Sequence, residues 1–178
     1  MTLIKHKNFI QTGVYKIFDL HGNTGKLSST IKHYKTCIYK SKDSMHYFEI
    51  QVTKAQGSCR VGMASLNAEL FAPLGYDIYS FAYQSKNGYG IHNSIRKTFG
   101  ERLKLNDILG ILLTTRNFNV ELHFFINGKK VPQHYTIPSE LSKDRLYPAF
   151  SLYDGCEIMF NFGPYFVYEI ISKINYAF

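Results

Sequence analysis

Several features that would assign this chain to a specialised class are absent or scarce. Its 178 residues include no Trp, 5 Pro and 3 Cys. Scattered single prolines exclude collagen-like and proline-rich chains. No apolar run reaches the roughly 18 residues of a membrane-spanning helix, so we expect no membrane partner. Residues 1–7 lack the apolar stretch of a secretory signal, and we expect no such signal.

The cysteines are odd in number and far apart. They are Cys37, Cys59 and Cys156, and no two form a Cys-x-x-Cys pair. Zinc sites use closely paired ligands, so this spacing argues against one. The pattern fits a reducing compartment, in which small unpaired cysteines lie in the core or at the surface. We therefore predict free cysteines and neither a metal nor a cofactor.

Catalytic motifs are also missing. The sequence contains no nucleophile elbow, Walker A loop, His-Glu-x-x-His pair or dinucleotide-binding glycine motif, and its 7 His show no metal-ligand spacing. His92, in a glycine-rich stretch, is better explained by a hydrogen bond at a turn or core edge, and Asp107 by turn hydrogen bonds. We predict that the protein is not an enzyme, and we expect His123 on the solvent-facing side of its strand.

The composition supplies material for one large core. Hydrophobic residues make up 45% of the chain and aromatic residues 16%, with 14 Tyr and 14 Phe. A single domain of this length buries about 70% of the surface of its unfolded chain. The same composition excludes global disorder.

Positive charge is concentrated in the first third of the chain. The net charge is +8, and residues 1–60 hold ten Lys and Arg against three Asp and Glu. The densest lysines, interleaved with tyrosines, are Lys32, Lys35, Lys40 and Lys42. Such a stretch attracts an acidic peptide, a nucleic acid or an anionic surface. A solvated strand-and-loop face explains it equally well, and charge alone does not choose between these interpretations.

Alternating hydrophobicity dominates the rest of the sequence. Residues 47–52 place Phe48, Ile50 and Val52 on one face, which predicts a half-buried strand, and the apolar run 108–113 predicts a buried one. Two hairpins are predicted across residues 121–131 and 146–162, with Asn127-Gly128 and Asp154-Gly155 at their turns. Asn-Gly favours the two positive φ values of a type I′ turn.

Helical patterns are confined to two short stretches, Ser94–Thr98 and Tyr168–Lys173. Many short strands separated by frequent turn residues predict an all-β fold, an antiparallel β-sandwich with short peripheral helices. We expect about the first 15 residues to form a loosely attached arm.

Six segments in order carry a resemblance to a known family. They are Tyr47–Ile50, Arg60–Gly62, Asp107–Gly110, Phe124–Gly128, Tyr147–Ala149 and Asn161–Pro164. The series resembles the signature of SPRY domains, concanavalin-like β-sandwiches of two antiparallel sheets whose loops recognise short peptides. We predict the SPRY domain over residues 31–170, with 1–30 as an N-terminal arm or first strands and 171–178 as a short C-terminal tail.

A narrower resemblance lies within the SPRY pattern. Ala72–Asp77, Ser80-Phe81, Ser85–Gly88 and His92-x-Ser94 are similar to the SPRY domain of the Ash-two-like and Bre-two proteins. Those are non-catalytic, nuclear subunits of the trithorax-type MLL/COMPASS complex, which methylates lysine four of histone three. The resemblance implies that the domain binds an acidic, partly apolar segment of the WD40 subunit, retinoblastoma-binding protein five, and helps to stimulate the SET-domain methyltransferase.

The resemblance also implies a peptide-binding site. Matched position by position, the family's binding residues correspond to Tyr34, Arg60, Pro73, Tyr76 and Lys86. An arginine can hold a carboxylate bidentately, tyrosine rings supply rigid walls, and a proline pre-orders its loop. Gln84 stands where the family usually has arginine, and Met63 where it has tryptophan. The Gln84 difference weakens one carboxylate contact in this expectation.

Other interpretations remain open at this point. A generic SPRY adaptor, such as a substrate receptor of a ubiquitin ligase, would use the same fold without the acidic partner. Residues 26–42 could bind nucleic acid weakly, which predicts steep salt dependence. An enzyme would rest on His92 and Asp107 alone. Because the chain ends at Phe178, we expect no Dpy-thirty-binding helix, and we expect no zinc-finger or winged-helix module before the domain.

Overall fold

The computed structural model describes residues 8–11, 15–21, 23–30, 32–116 and 118–170. Within these ranges the chain forms fourteen strands. In chain order they are β1 (Phe9–Ile10), β2 (Lys16–His21), β3 (Thr24–Ser28), β4 (Cys37–Tyr39), β5 (Tyr47–Lys54), β6 (Ser58–Ala64), β7 (Ser80–Gln84), β8 (Tyr89–His92), β9 (Ile95–Thr98), β10 (Ile108–Arg116), β11 (Asn119–Ile126), β12 (Lys129–Ile137), β13 (Tyr147–Tyr153) and β14 (Glu157–Asn161).

The strands make two antiparallel sheets of seven strands each. Sheet A runs β1-β4-β13-β6-β7-β8-β9, and sheet B runs β12-β11-β10-β5-β14-β3-β2. The predicted all-β sandwich is confirmed. No helix in the described part of the chain is long and apolar enough to cross a membrane.

The main core lies between the two sheets. Strand alternation sends one set of side chains inward from each sheet, and the largest of these are fully buried. They include Phe48, Tyr83, Phe124, Phe150 and Phe160. Closely spaced aromatic rings fill this layer, so the many Phe and Tyr residues of the composition are used mainly in packing.

The outer face of sheet A carries a second, smaller core. Its small side chains are covered by the long connection between β6 and β7, residues 65–79, here called the A-loop. Leu74 of the A-loop is fully buried against Ala82, Ile91 and Ala149 of the sheet. The A-loop is therefore packed against the sheet.

The outer face of sheet B is covered by residues 162–170, here called the B-strap. Phe166, Tyr168 and Ile170 of the B-strap pack against Tyr47 and Leu112 of the sheet. Both outer faces thus have an apolar cover, but the covers come from different parts of the chain.

Of the two predicted hairpins, the one across residues 121–131 is confirmed, because β11 pairs with β12. The hairpin across 146–162 was wrong: β13 pairs with β4 and β6 in sheet A, and β14 pairs with β3 and β5 in sheet B, so the turn at Asp154-Gly155 connects the two sheets. The turn depends on local residues, whereas the pairing depends on strands that are distant in the sequence. Asn127 and Gly128 have φ values of 50° and 78°, and Asp154 and Gly155 have 51° and 79°. Both positions of each turn lie in the left-handed region that a type I′ turn requires.

Two further expectations for local structure were wrong. Ser94–Thr98 is not helical, because Asn93 and Ser94 have φ values of 49° and 60° and turn the chain into β9. His123 does not face solvent: it is buried, its Nε2 lies 3.0 Å from Glu121 Oε2, and its ring lies 4.8 Å from that of His134. Neighbouring side chains cover this part of sheet B.

The segment assigned to an arm or to first strands contains strands. β1 pairs with β4 in sheet A, and β2 and β3 form the edge of sheet B. Phe9 and Tyr15 are buried in the main core, so these parts are integral to the sandwich, although an arm was expected there. Residues 1–7 and 171–178, and with them the end of the predicted helix Tyr168–Lys173, lie outside the described residues.

Candidate functional site

Arg60 lies at the centre of the predicted site, in the middle of β6. Its neighbours across the strands are Gln84 on β7 and Ser151 on β13. Cross-strand partners share a face of the sheet, and this face is the outer one, beneath the A-loop. The sequence therefore puts a long cationic side chain on the outer face, next to the small residues Gly62, Ala82 and Ala149.

The guanidinium of Arg60 is buried without a counter-ion. The residue is 7% exposed, its Nη1 donates to the carbonyl oxygen of Leu74 at 3.0 Å, and its Cζ lies 5.0 Å from the centre of the Tyr34 ring. Its buried Nε has no hydrogen-bond partner. Within the described residues no carboxylate forms a salt bridge with Arg60.

Burial makes the charge of Arg60 unfavourable. Desolvation lowers the pKa of the Arg60 guanidinium, Tyr34 opposes that change, and the positive charge of Arg96 adds to it. A buried cation is stabilised by an anion, and here the described chain supplies a ring and a carbonyl oxygen instead. The charge of Arg60 therefore has no anionic partner among the described residues.

Pro73 and Tyr76 lie on the turn that Arg60 contacts. Tyr76 N donates to Pro73 O at 3.0 Å, and Gly75 between them has a φ of 86°. This is the pattern of a type II turn, with Pro73 first, Leu74 second and glycine at the third position, which requires a positive φ. A Cβ at Gly75 would lie 2.5 Å from the carbonyl oxygen of Ile91, so glycine is required there for space as well as for φ.

Side chains of the sheet hold this turn in place. Leu74 N donates to Ser151 Oγ at 2.8 Å, and Gly75 N donates to Ser80 Oγ at 2.9 Å. Ser94 Oγ donates to Tyr76 O at 2.7 Å. Asp77 accepts bonds from the backbone of both ends of the A-loop. A turn fixed by so many bonds loses little entropy when a ligand binds.

Exposed apolar side chains surround the turn. Tyr76 is 54% exposed, and Phe71 on the same loop is 71% exposed. Lys35 lies over the Phe71 ring, with Nζ 5.0 Å from its centre. Clusters of exposed rings are typical of interaction surfaces. The surface combines apolar contacts with cations.

A cavity of about 610 Å³ opens on the other side of Tyr34. The rings of Tyr34 and Tyr153 stack at 5.1 Å between centres. The cavity is lined by Gln84, Lys86 and Arg102 among others, with Asp154 as an acidic group in its wall. Lys86 and Arg102 are exposed.

The six predicted residues therefore fall into two neighbouring groups. Tyr34, Gln84 and Lys86 line the cavity, whereas Pro73 and Tyr76 lie on the turn beside Arg60. Tyr34 joins the groups because its ring contacts the guanidinium and lines the cavity. Gln84 lies next to Arg60 in the sheet.

Sequence reasoning missed Arg96 and Arg102. Both lie outside the segments that carried the resemblance. Arg96 belongs to β9, which was expected to be helical, so its position on the same outer face as Arg60 was hidden. Arg102 follows that strand on a connection without periodicity, and the sequence offered no signal for it.

The residues that would have supported an enzyme have structural roles. His92 Nδ1 lies 3.0 Å from Ser80 O, and its ring stacks on Phe81 at 4.2 Å. Asp107 accepts hydrogen bonds from Lys104 N and Asn127 Nδ2. These contacts agree with the roles predicted for His92 and Asp107.

The cysteines are free and buried, as predicted. Burial raises the pKa of the Cys37 thiol, which keeps it protonated and unreactive. Within the described residues, no group of three or more His, Cys, Asp or Glu side chains is arranged to hold a metal ion.

The comparisons with known proteins place this geometry in a family. The model of the SPRY domain matches residues 45–165, and the chain belongs to the SPRY domain family. A crystal structure of a human SPRY domain superposes with a TM-score of 0.68 over 85% of this chain and 99% of that one, at 21% identity. SPRY domains are protein-interaction modules, and the fold and the exposed site agree with that class.

Curated relatives are longer proteins. The ATP-dependent RNA helicase Ddx1 of Drosophila melanogaster is 34% identical over 117 residues, 66% of this chain, and its counterpart DDX1 of Xenopus laevis is 32% identical over 118. The Set1 complex component ash2 of Schizosaccharomyces pombe is 32% identical over 97 residues, 52% of this chain. The matches span 15% of each helicase and 13% of ash2.

Proposed function

We propose that this domain is a non-catalytic scaffold that binds an acidic, partly apolar peptide of a partner protein on the face around Arg60. The observation that carries the proposal is the buried guanidinium without a described carboxylate partner. A carboxylate from the partner would supply the missing counter-ion, and Tyr76 and Phe71 would cover the partner's apolar side chains. Lys86 and Arg102 would extend the positive surface past Tyr34.

We further propose the identity of that partner. The peptide belongs to a WD40 subunit similar to retinoblastoma-binding protein five, and the pair helps to stimulate a SET-domain methyltransferase that acts on lysine four of histone three in the nucleus. The match to the Set1 complex component ash2 supports this assignment, together with the motif Ala72–Asp77.

Binding is tested with the acidic segment of the WD40 partner, labelled and titrated against the domain. The wild-type chain is expected to bind it, and the double variant Arg60→Ala, Tyr76→Ala is expected to lose binding. Arg145→Ala serves as the control, because Arg145 also lies over a tyrosine, with its Cζ 5.2 Å from the Tyr147 ring. Equal binding by wild type and double variant would remove the proposed site.

Stimulation is tested separately in a reconstituted complex of methyltransferase, WD40 subunits and this chain. Methylation of a histone three peptide is expected to rise when the wild-type chain is added, and to stay at its basal level with the double variant. Binding without stimulation would restrict the function to scaffolding.

A second candidate is favoured by the helicase relatives, whose matches cover more of this chain than the ash2 match does. In this alternative the same surface recruits a partner to an assembly that contains an RNA helicase. Co-purification from the native source distinguishes the two: methyltransferase subunits support the first candidate, and helicase-associated proteins support the second.

A further inference from the structure

Strand β9 has an unpaired backbone edge. It is the last strand of sheet A and pairs with β8 alone among the described strands. A two-residue turn joins the two strands, and the pair His92 and Ile95 closes it. The closing pair of such a hairpin is hydrogen bonded, and bonded pairs then alternate along the strands. The bond from Phe99 N to Gly88 O, at 3.0 Å, continues this alternation.

The alternation fixes which backbone groups of β9 are free. Ile95 and Lys97 direct their N–H and C=O groups toward β8. Arg96 and Thr98 direct theirs outward, and no hydrogen bond of the described residues uses them. All four residues are exposed. Two donors and two acceptors are therefore aligned for a further strand.

The two sides of this edge differ in chemistry. Ile95, which is 59% exposed, and Lys97 line a cavity of about 320 Å³ at the open end of the sandwich. Its walls include the rings of Phe81, Phe99 and Tyr135, and no carboxylate is among its lining residues.

Arg96 lies on the opposite side of the edge. Its cross-strand neighbour Ile91 belongs to the outer core beneath the A-loop, and Arg96 is close enough to Arg60 to interact electrostatically with it. A strand added here would place alternate side chains at an apolar cavity and beside Arg96.

We propose that β9 is a docking edge for an extended partner peptide in which acidic and apolar side chains alternate. The peptide adds to sheet A as an eighth strand, pairs with the backbone of Arg96 and Thr98, places apolar side chains in the cavity and sets acidic ones beside Arg96. Main-chain bonds give such complexes affinity, and alternate pockets give them specificity. This inference rests on the proposed function, since it concerns the same acidic segment, and adds how its backbone is held.

Thr98→Pro tests the edge directly. Thr98 N–H points outward, so proline removes it without breaking a bond to β8, and edge strands accept proline at such positions. The probe is a synthetic peptide of about eight residues with alternating Glu and Val, long enough for one strand. Thr98→Val is the matched control, because it keeps the N–H and the β-branched shape. Thermal melting checks that both variants fold.

We expect Thr98→Pro to bind the probe at least about tenfold more weakly, because the Thr98 N–H donor is lost, a peptide carbonyl is left unpaired and the proline ring occupies the space of that bond. Thr98→Val is expected to stay within about twofold of wild type. A peptide of the same composition with its Glu and Val residues in separate blocks is expected to bind weakly. Equal binding of the probe by wild type and Thr98→Pro would overturn the inference, and would assign Arg96 and Lys97 to guarding the edge against aggregation.

Backbone methylation of the probe gives a test that needs no protein variant. Methylation of one alternate set of amides is expected to abolish binding to the wild-type chain, and methylation of the other set to leave it intact. Amide exchange at Arg96 and Thr98 is expected to slow on binding. Equal effects of the two methylated probes would contradict strand addition.

The outcomes separate this inference from the proposed function. If no acidic peptide binds the wild-type chain, both proposals fail. If binding is lost in the Arg60→Ala, Tyr76→Ala double variant and kept in Thr98→Pro, the proposed function stands and the β9 edge is excluded.

Discussion

The two outer faces of the sandwich bury charges of opposite sign in different ways. On sheet B, Glu49 is 2% exposed, and its carboxylate accepts bonds from Val167 N at 2.8 Å, Tyr168 N at 2.9 Å and Tyr47 Oη at 3.0 Å. On sheet A, Arg60 Nη1 donates to Leu74 O, and its buried Nε has no hydrogen-bond partner among the described residues.

The two buried ions therefore differ in how fully the rest of the described chain satisfies them. Glu49 fastens the B-strap to its sheet, because the strap provides two of its three donors. Arg60 touches the A-loop through one carbonyl and keeps donor capacity for something else. A charge that is fully hydrogen bonded inside the molecule stabilises the fold, whereas one left without its counter-ion is available to a partner.

The largest expected effect is a loss of folding stability, and it concerns Glu49 on sheet B. Glu49→Ala removes the acceptor of three donors, one of them the buried Tyr47 hydroxyl, and is expected to lower the free energy of unfolding by about 3–5 kcal/mol. Denaturant unfolding measures it. Glu140→Ala, at an exposed position, is the control and is expected to change stability by less than about 0.5 kcal/mol. A loss at Glu49 below about 1 kcal/mol would mean that the B-strap is held by its apolar contacts alone.

The next effect concerns binding at sheet A. Tyr76→Ala is expected to weaken acidic-peptide binding about tenfold, a difference of about 1.4 kcal/mol, with no loss of stability. Tyr165 is 89% exposed on the B-strap, so Tyr165→Ala removes the same chemistry from the other face. Titration of both variants with the acidic peptide tests the contrast. Equal losses of affinity would show that an exposed tyrosine on either face contributes to peptide binding.

A smaller effect follows from His123 on sheet B. Burial lowers the pKa of the His123 imidazole from its ordinary value of 6.5, with Lys130 adding to the decrease and Glu121 opposing it. The unfolded chain then binds the proton more readily than the folded one. The unfolding free energy is therefore expected to fall as the pH drops below about 6.5, by less than about 1.4 kcal/mol per pH unit.

Unfolding measured across pH 5 to about 8 checks this dependence. His123→Gln is expected to flatten it, and His134→Gln, at an exposed position on β12, to leave it in place. The dependence is a property of the sheet B face. An identical pH profile in wild type and His123→Gln would show that another group is responsible.

The smallest expected effect is a gain in peptide affinity, and it concerns Gln84 on sheet A. Gln84→Arg places a second cation beside Arg60 and is expected to improve acidic-peptide binding by about 0.2–1 kcal/mol, a gain that salt screens. Gln51→Arg adds the same charge to sheet B and is expected to change nothing. If both variants bind more tightly, net charge rather than position determines the affinity.

Much of the fold could be predicted from the sequence because the strand signals are local. Alternation at 47–52 and the positive-φ turns at Asn127-Gly128 and Asp154-Gly155 depend on neighbouring residues only. The error at Ser94–Thr98 has a physical cause: a four-residue edge strand is too short for its period to be recognised, and its structure depends on β8.

The site was predicted in part for similar reasons. Motif positions indicated Arg60, Pro73 and Tyr76, and the structure joins these three through the Leu74 carbonyl and the turn. Burial of Arg60 without a counter-ion could not be predicted, because it depends on the A-loop folding over the sheet. The burial of His123 was missed because the pattern identifies its face of the strand but not what covers that face.

The most direct test of the account is a double-mutant cycle between Arg60 and the peptide. Arg60→Met keeps the apolar bulk of the side chain, and a peptide with glutamine in place of each glutamate removes the charge on the other partner. Arg145→Met, with the same peptides, is the control. We predict a coupling free energy of at least about 1.5 kcal/mol between Arg60 and the peptide carboxylates. A coupling free energy below about 0.3 kcal/mol, with both variants folded, would contradict the proposal that Arg60 binds a carboxylate of the partner peptide.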